Sequence, residues 1–242
     1  MTFFQEPRRS RQPMLLVPWP VLFLIGVLAA CYAAFVLAPA WLQNEILYRY
    51  AFIPADYSQA ALAGSGHPSG VLGLALPFVT YIFLHGSLSH LAINCIWMLP
   101  FGAVIARRYH ALLFFVFFLV CGVAGAALHL AFNWGSQLAV IGASGAISGL
   151  MGAAFRMIGP PFLGEQVGFA PLAPVLSPRI LLWSAVWIGI NILAGVTGLG
   201  AGTEVRLIAW QAHLGGYFAG LLLAGPFAAL AAGLERGPEE LR

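Results

Sequence analysis

The chain has no lysine, and only 8% of its 242 residues are charged, where soluble domains carry about 25%. A folded surface so poor in charge is not built for water. Its positive charge comes entirely from eleven arginines, and the formal net charge of +3 is spread along the chain rather than gathered into a patch. Without a basic stripe to follow a phosphate backbone, a nucleic-acid partner is not expected. Cysteine is also scarce. Cys31, Cys95 and Cys121 fall in apolar segments with no CxxC spacing, which suits small buried hydrophobes better than disulfides, metal ligands or nucleophiles. Nor does any carboxylate lie inside a long apolar run. Glu45, Asp56, Glu165 and Glu204 fall in connections, and Glu6, Glu235, Glu239 and Glu240 lie near the termini. His85, His90 and His213 are therefore joined by no carboxylate or thiolate, and no HExxH occurs, so no metal is expected. The glycine-rich stretch Gly142–Gly149 lacks the lysine and preceding strand of a phosphate loop, and no cofactor is expected.

What the chain has in abundance is apolar length: 61% of its residues are hydrophobic and its mean hydropathy is +0.89. Runs at about 14–38, 88–106, 112–131, 141–158, 180–199 and 207–230 approach the length that crosses about 30 Å of hydrocarbon as a helix. The expectation is an all-α polytopic membrane protein: one six-span domain over 14–230, with tails 1–13 and 231–242 in the cytoplasm. The first run follows a basic start but is too long for a signal peptide and has no clean cleavage site. Pro18 and Pro20 sit in its first turns, where a missing N–H costs least.

Between the first two spans lies a long connection, Pro39 to His85. Trp41, Tyr50 and Tyr57 make it too aromatic for a solvated linker, and it is expected to lie in the membrane interface. His67, in the turn-rich stretch 64–70, reads as an exposed loop residue, and His85 as a cap or anchor of the same loop. His129 with Asn133 at the end of the third span reads as interfacial.

Arginine positions set the orientation. With a cytoplasmic amino terminus, Arg8, Arg9, Arg11, Arg107, Arg108, Arg156, Arg179, Arg236 and Arg242 lie inside and only Arg49 and Arg206 outside, as the positive-inside rule requires. Spans two, four and six then start at the outer face. Near those starts lie His90 with Asn94, Ser144, and His213. Polar side chains within a span face protein or a wet cavity, because facing lipid costs on the order of 3 kcal/mol.

The stretch Ile141–Ala154 of the fourth span carries Ser144 and then Gly145, Gly149 and Gly152 at about one helical turn, a strip that lets another helix approach closely. Gly216 and Gly220 offer a matching strip beside His213. Ser144 needs a base to become a nucleophile, and a neutral histidine supplies one. With no acid available, a two-residue Ser144–His213 dyad is the form expected. His90 and Asn94, four residues apart on one helical face, and the Ser144 N–H are candidate oxyanion donors. Ala146 breaks the G-x-S-x-G pattern of soluble hydrolases, so a different scaffold is implied.

The set His85-Gly-Ser-Leu-Ser-His90-Leu-Ala-Ile-Asn94, Gly142-Ala-Ser-Gly145 and Ala212-His-Leu-Gly-Gly216 resembles the rhomboid family of intramembrane serine proteases, over about Tyr81 to Gly220. The resemblance implies a rhomboid-like six-helix bundle with Ser144 as nucleophile and His213 as base. It implies oxyanion stabilisation by His90 and Asn94, and packing by Gly142, Gly145, Gly149, Gly216 and Gly220. It further implies transmembrane-protein substrates with a small residue before the cut. Span five and the loop 200–211 would move to admit them, and the glycines at 195, 198, 200 and 202 suit a mobile cap or plain loops. The membrane would be a bacterial inner membrane, with the site open to the non-cytoplasmic side.

Two features depart from the family. Ser148 stands where members often have an aromatic residue against the catalytic histidine, so His213 must be oriented by another contact, such as Trp187, Trp210 or Tyr217. The glutamate common near the end of the second span is also absent. Asn191 in span five reads as a helix–helix contact, with a gate residue as the alternative. A non-catalytic binder of client transmembrane helices remains the second reading of the whole chain. A small transporter is the third, disfavoured by the lack of an inverted repeat or a buried acid.

Overall fold

The computed structural model describes residues 17–58, 70–158, 171–197 and 209–235. The arginines at 8, 9, 11, 206, 236 and 242, His67, Glu165, the glycines at 198, 200 and 202 and most of the 200–211 loop lie outside the described residues. The chain forms α1 (Trp19–Leu37), α2 (Ala40–Tyr50), two short helices α3 (Gly70–Ala75) and α4 (Pro77–Thr80), then α5 (Leu88–Arg108), α6 (Ala111–Phe132), α7 (Ser144–Met157), α8 (Pro178–Thr197) and α9 (Trp210–Glu235). Among the described residues the only extended pairing is one antiparallel bridge, Phe52 to Val140.

The protein is an all-α bundle with several membrane-spanning helices. α1, α5, α6, α8 and α9 are each long and apolar enough to cross a bilayer. Large apolar side chains such as Phe23, Leu37, Trp183, Ile190 and Leu193 point away from the protein. Water would oppose so much exposed apolar surface, whereas hydrocarbon accepts it once every backbone polar group is paired within a helix.

α7 differs from the rest. Its 14 residues reach about 21 Å at 1.5 Å per residue, and most of them are buried. It stands at the centre, against α5, α6 and α9. It starts later than the apolar pattern suggests because Gly142 has φ +121°, a conformation that L side chains rarely adopt. At the opposite end α9 runs past residue 230 to Glu235.

Side chains tie up the ends. Ser87 caps α5 by accepting the His90 N–H at 3.2 Å, and Arg107 and Arg108 lie in its last turn, where cations suit the carbonyl end of a helix. Arg156, near the end of α7, donates to the carbonyls of Leu221 at 2.7 Å and Ala173 at 2.9 Å. It thus joins α7 to α9 and to the chain before α8. His129, near the end of α6, is 6% exposed, so the protein covers its ring there. Gly125, beside the Ala212 carbonyl, draws α6 against α9 and covers this end of the helix.

Candidate active site

Ser144 is the first residue of α7, and a set of backbone bonds determines where that helix begins. Phe52 and Val140 exchange hydrogen bonds of 3.0 and 2.8 Å, the Ala55 N–H donates to the Ser136 carbonyl at 2.9 Å, and the Gly142 N–H to the Tyr81 carbonyl at 2.9 Å. The chain before Ser144 is thereby sewn to the long connection between α1 and α5. The first N–H groups of a helix have no partner within it, and no side chain caps α7. The amides at Ser144 and the next two residues thus form a donor-rich end carrying positive partial charge.

His213 lies in the first turn of α9. What brings it to Ser144 is the contact between the two helices, which is made by backbone rather than side chains. A Cβ placed on Gly216 would fall on the Gly145 carbonyl oxygen, and one on Gly220 would fall on the Gly149 carbonyl oxygen. A Cβ on Gly149 would meet Cys121 as well as the Gly216 carbonyl oxygen, the latter at 2.9 Å. Only glycine permits so close an approach. Side chains one turn away then meet directly: His213 Nε2 and Ser144 Oγ are 2.7 Å apart. Both residues are partly open at their surface, so a reacting group can reach them.

His90 and Asn94 of α5 converge on the same place. A Cβ on Gly142 would lie 2.6 Å from His90 Nε2 and 3.8 Å from Asn94 Nδ2, so both side chains surround the backbone two residues before the serine. Asn94 is 3% exposed, and its Nδ2 donates to the His90 carbonyl at 3.0 Å, which leaves its second amide hydrogen to be directed elsewhere. The His85 ring packs edge-on to that of His90, with centroids 5.0 Å apart. Burial, and secondarily the neighbouring His90, lowers the pKa of His85 from 6.5 to about 4. It is thus a neutral support behind His90.

The contact that orients His213 is not an aromatic ring. Ser148 turns its hydroxyl back to the Ser144 carbonyl at 2.8 Å, and Tyr217 is engaged with Ser184 at 2.6 Å. The side chain of Trp210 lies against Gly195. Facing His213 Nδ1 instead, at 2.7 Å, is Asn191 Oδ1 of α8. Trp187 takes part only through its carbonyl, which accepts from Asn191 Nδ2 at 2.9 Å. From the sequence Asn191 reads as a helix–helix contact, with a gate residue as the alternative, and not as a partner of His213. An amide placed deep in an otherwise apolar helix was the available signal. Among the described residues no three His, Cys, Asp or Glu side chains gather as a metal site.

A serine bonded to a histidine across two glycine-packed helices, inside a polytopic α-helical bundle, defines a membrane protein with a hydrolase-like centre. Residues 73–229 match the rhomboid domain, and the chain belongs to the rhomboid family. It is 30% identical over 158 residues to Rhomboid protease GluP of Bacillus subtilis (strain 168), an alignment covering 65% of this chain and 26% of that protein. The chain thus spans about a quarter of that relative's length.

Proposed function

We propose that the protein is an intramembrane serine endopeptidase that cuts peptide bonds in or near transmembrane segments through an acyl-enzyme. The observation that carries this reading is the 2.7 Å bond between Ser144 Oγ and His213 Nε2, in a chain of the rhomboid family. His213 takes the hydroxyl proton as Ser144 attacks the scissile carbonyl carbon. The tetrahedral oxyanion is met by the Ser144 N–H, His90 and Asn94, preorganised where charge develops. His213 then gives its proton to the leaving amine. Water repeats the sequence in reverse on the acyl-enzyme, releasing the second product and restoring the serine.

Substrates in this reading are membrane proteins whose helices unwind locally, because a carbonyl bonded within a helix is not open to attack. A small residue before the cut follows from the resemblance. α7 serves as a sixth, short span shielded from lipid by its neighbours. Both termini lie in the cytoplasm of a bacterial inner membrane and the site opens to the other side, as the arginine distribution supports. Movement of α8 would admit the substrate. A purely client-binding role has no use for a serine and a histidine held in hydrogen-bond contact.

The test is cleavage of a single-span model substrate by purified protein in liposomes, beside Ser144→Ala and His213→Ala. Both variants are expected to fold and to lose at least about a thousandfold in kcat. Undiminished cleavage in either would remove that residue from its role.

A further inference from the structure

Asn191 is 4% exposed and holds two contacts that together determine a proton's position. Its Nδ2 lies 2.9 Å from the Trp187 carbonyl one turn back. A carbonyl only accepts, so this contact decides which end of the amide is nitrogen. The other end, Oδ1, is the atom 2.7 Å from His213 Nδ1. An amide oxygen also only accepts, so Nδ1 carries the proton. In a neutral imidazole the other nitrogen is then a bare lone pair. That nitrogen, Nε2, is the atom facing Ser144 Oγ at 2.7 Å, and the hydroxyl donates to it.

We propose that Asn191 is the positioning residue of the catalytic base: with its amide turned by the Trp187 carbonyl, it holds His213 in the tautomer that can accept the serine proton, making a Ser144–His213–Asn191 chain of hydrogen bonds. The inference rests on the protease reading above. Turned the other way, the amide would present N–H to Nδ1, and the ring proton would move to Nε2. Nε2–H would then donate to the serine oxygen, and no lone pair would be left to take the hydroxyl proton. In a soluble serine protease, asparagine in place of the triad aspartate costs about ten-thousandfold in kcat through that wrong tautomer. Here the Trp187 carbonyl excludes the wrong orientation, so asparagine performs the orienting half of an acid's task. It does so without placing a carboxylate at membrane depth, where charge is costly.

Two neighbouring facts fit this assignment. Ser148, one turn after the nucleophile, bonds within its own helix to the Ser144 carbonyl and offers the ring nothing. α8 meets α9 through a second short bond, Ser184 to Tyr217 at 2.6 Å, which joins the same two helices without touching the base and so supplies a control.

The experiment measures kcat, KM and the pH profile of the full chain in detergent. The probe is a fluorogenic single-span peptide with alanine before the cut. Asn191→Leu is expected to lower kcat roughly 10- to 100-fold with KM within about threefold. Asn191→Asp keeps an acceptor on Nδ1 and adds negative charge. The groups facing His213 are Ser144 from α7, Asn191 from α8 and the titratable His90 from α5; α5, α6, α7 and α8 contain no Asp or Glu. A new carboxylate there favours the imidazolium, so the acid limb of kcat/KM moves about one pH unit upward. Ser184→Ala is expected to leave both kcat and the profile near wild type.

An acid limb unmoved in Asn191→Asp overturns the proposal whatever happens to kcat, and so does kcat within threefold of wild type in a folded Asn191→Leu. A loss in Ser184→Ala equal to that in Asn191→Leu also overturns it, because general loosening of α8 would then account for both. If Asn191→Leu does not fold, the Asn191→Asp profile decides alone. Cleavage that persists in Ser144→Ala is a separate result, which removes the protease reading itself.

Discussion

The contact of α7 with α9 and the contact of α8 with α9 are built in opposite ways. The first is backbone on backbone, with glycines at 149, 216 and 220 leaving no space for even a methyl group and Gly145 leaving only a tight one. The second is made by side chains: Ser184 with Tyr217, Asn191 with His213, and the Trp210 ring beside Gly195. Most of α8 faces away from the protein. Close packing through glycine fixes the two helices that carry the serine and the imidazole, whereas the α8 contact, made by those pairs and by Ile180 against Tyr217 and Leu221, rests on side chains that can change rotamer. The bond-forming pair thus sits on the rigid contact, and the group facing the far side of the imidazole sits on the adjustable one.

The sharpest way to break this contrast is to thicken the rigid side. Gly216→Val forces a branched side chain onto the Gly145 carbonyl, and overpacking of this kind costs typically 1–3 kcal/mol or more. Thermal unfolding in detergent is expected well below wild type, with cleavage abolished; a stable, active Gly216→Val would show that the helices are not in backbone contact. A smaller loss is expected beside the seam. Asn94→Ala leaves Ser144 and His213 in place but removes a proposed oxyanion donor, and is expected to lower kcat about 10²-fold with little change in stability. Unchanged kcat would assign Asn94 to the support of α5 alone.

The smallest effect belongs to the adjustable side. Gly189 of α8 has nothing within 4 Å of where a Cβ would stand. Gly189→Ala should leave cleavage intact and alter stability by no more than about 1 kcal/mol, in the favourable direction expected from helix propensity. A large loss of folding would mean that α8 packs as tightly as α7.

Much of this site was legible in the residues. Small residues recurring at one helical turn on two segments could only mean close helices, and a serine on one with a histidine on the other followed by the same spacing. The start of α7 was less legible, because Ile141–Ala143 continues the apolar run and only the positive φ at Gly142 ends the pattern. Asn191 was least legible of all. It stands 22 residues before His213 in a helix that is apolar almost all round, so no periodic pattern tells which side it faces. Tertiary contacts between helices of uniform hydrophobicity leave little trace in a single sequence.

The most direct measurement is the site of covalent capture. A fluorophosphonate should add one phosphonyl group per chain, and mass spectrometry of the digested adduct should place it on Ser144, with labelling lost in His213→Ala. A chain that remains unlabelled while folded, or that carries the adduct on another serine, would contradict an activated hydroxyl at the junction of α7 and α9.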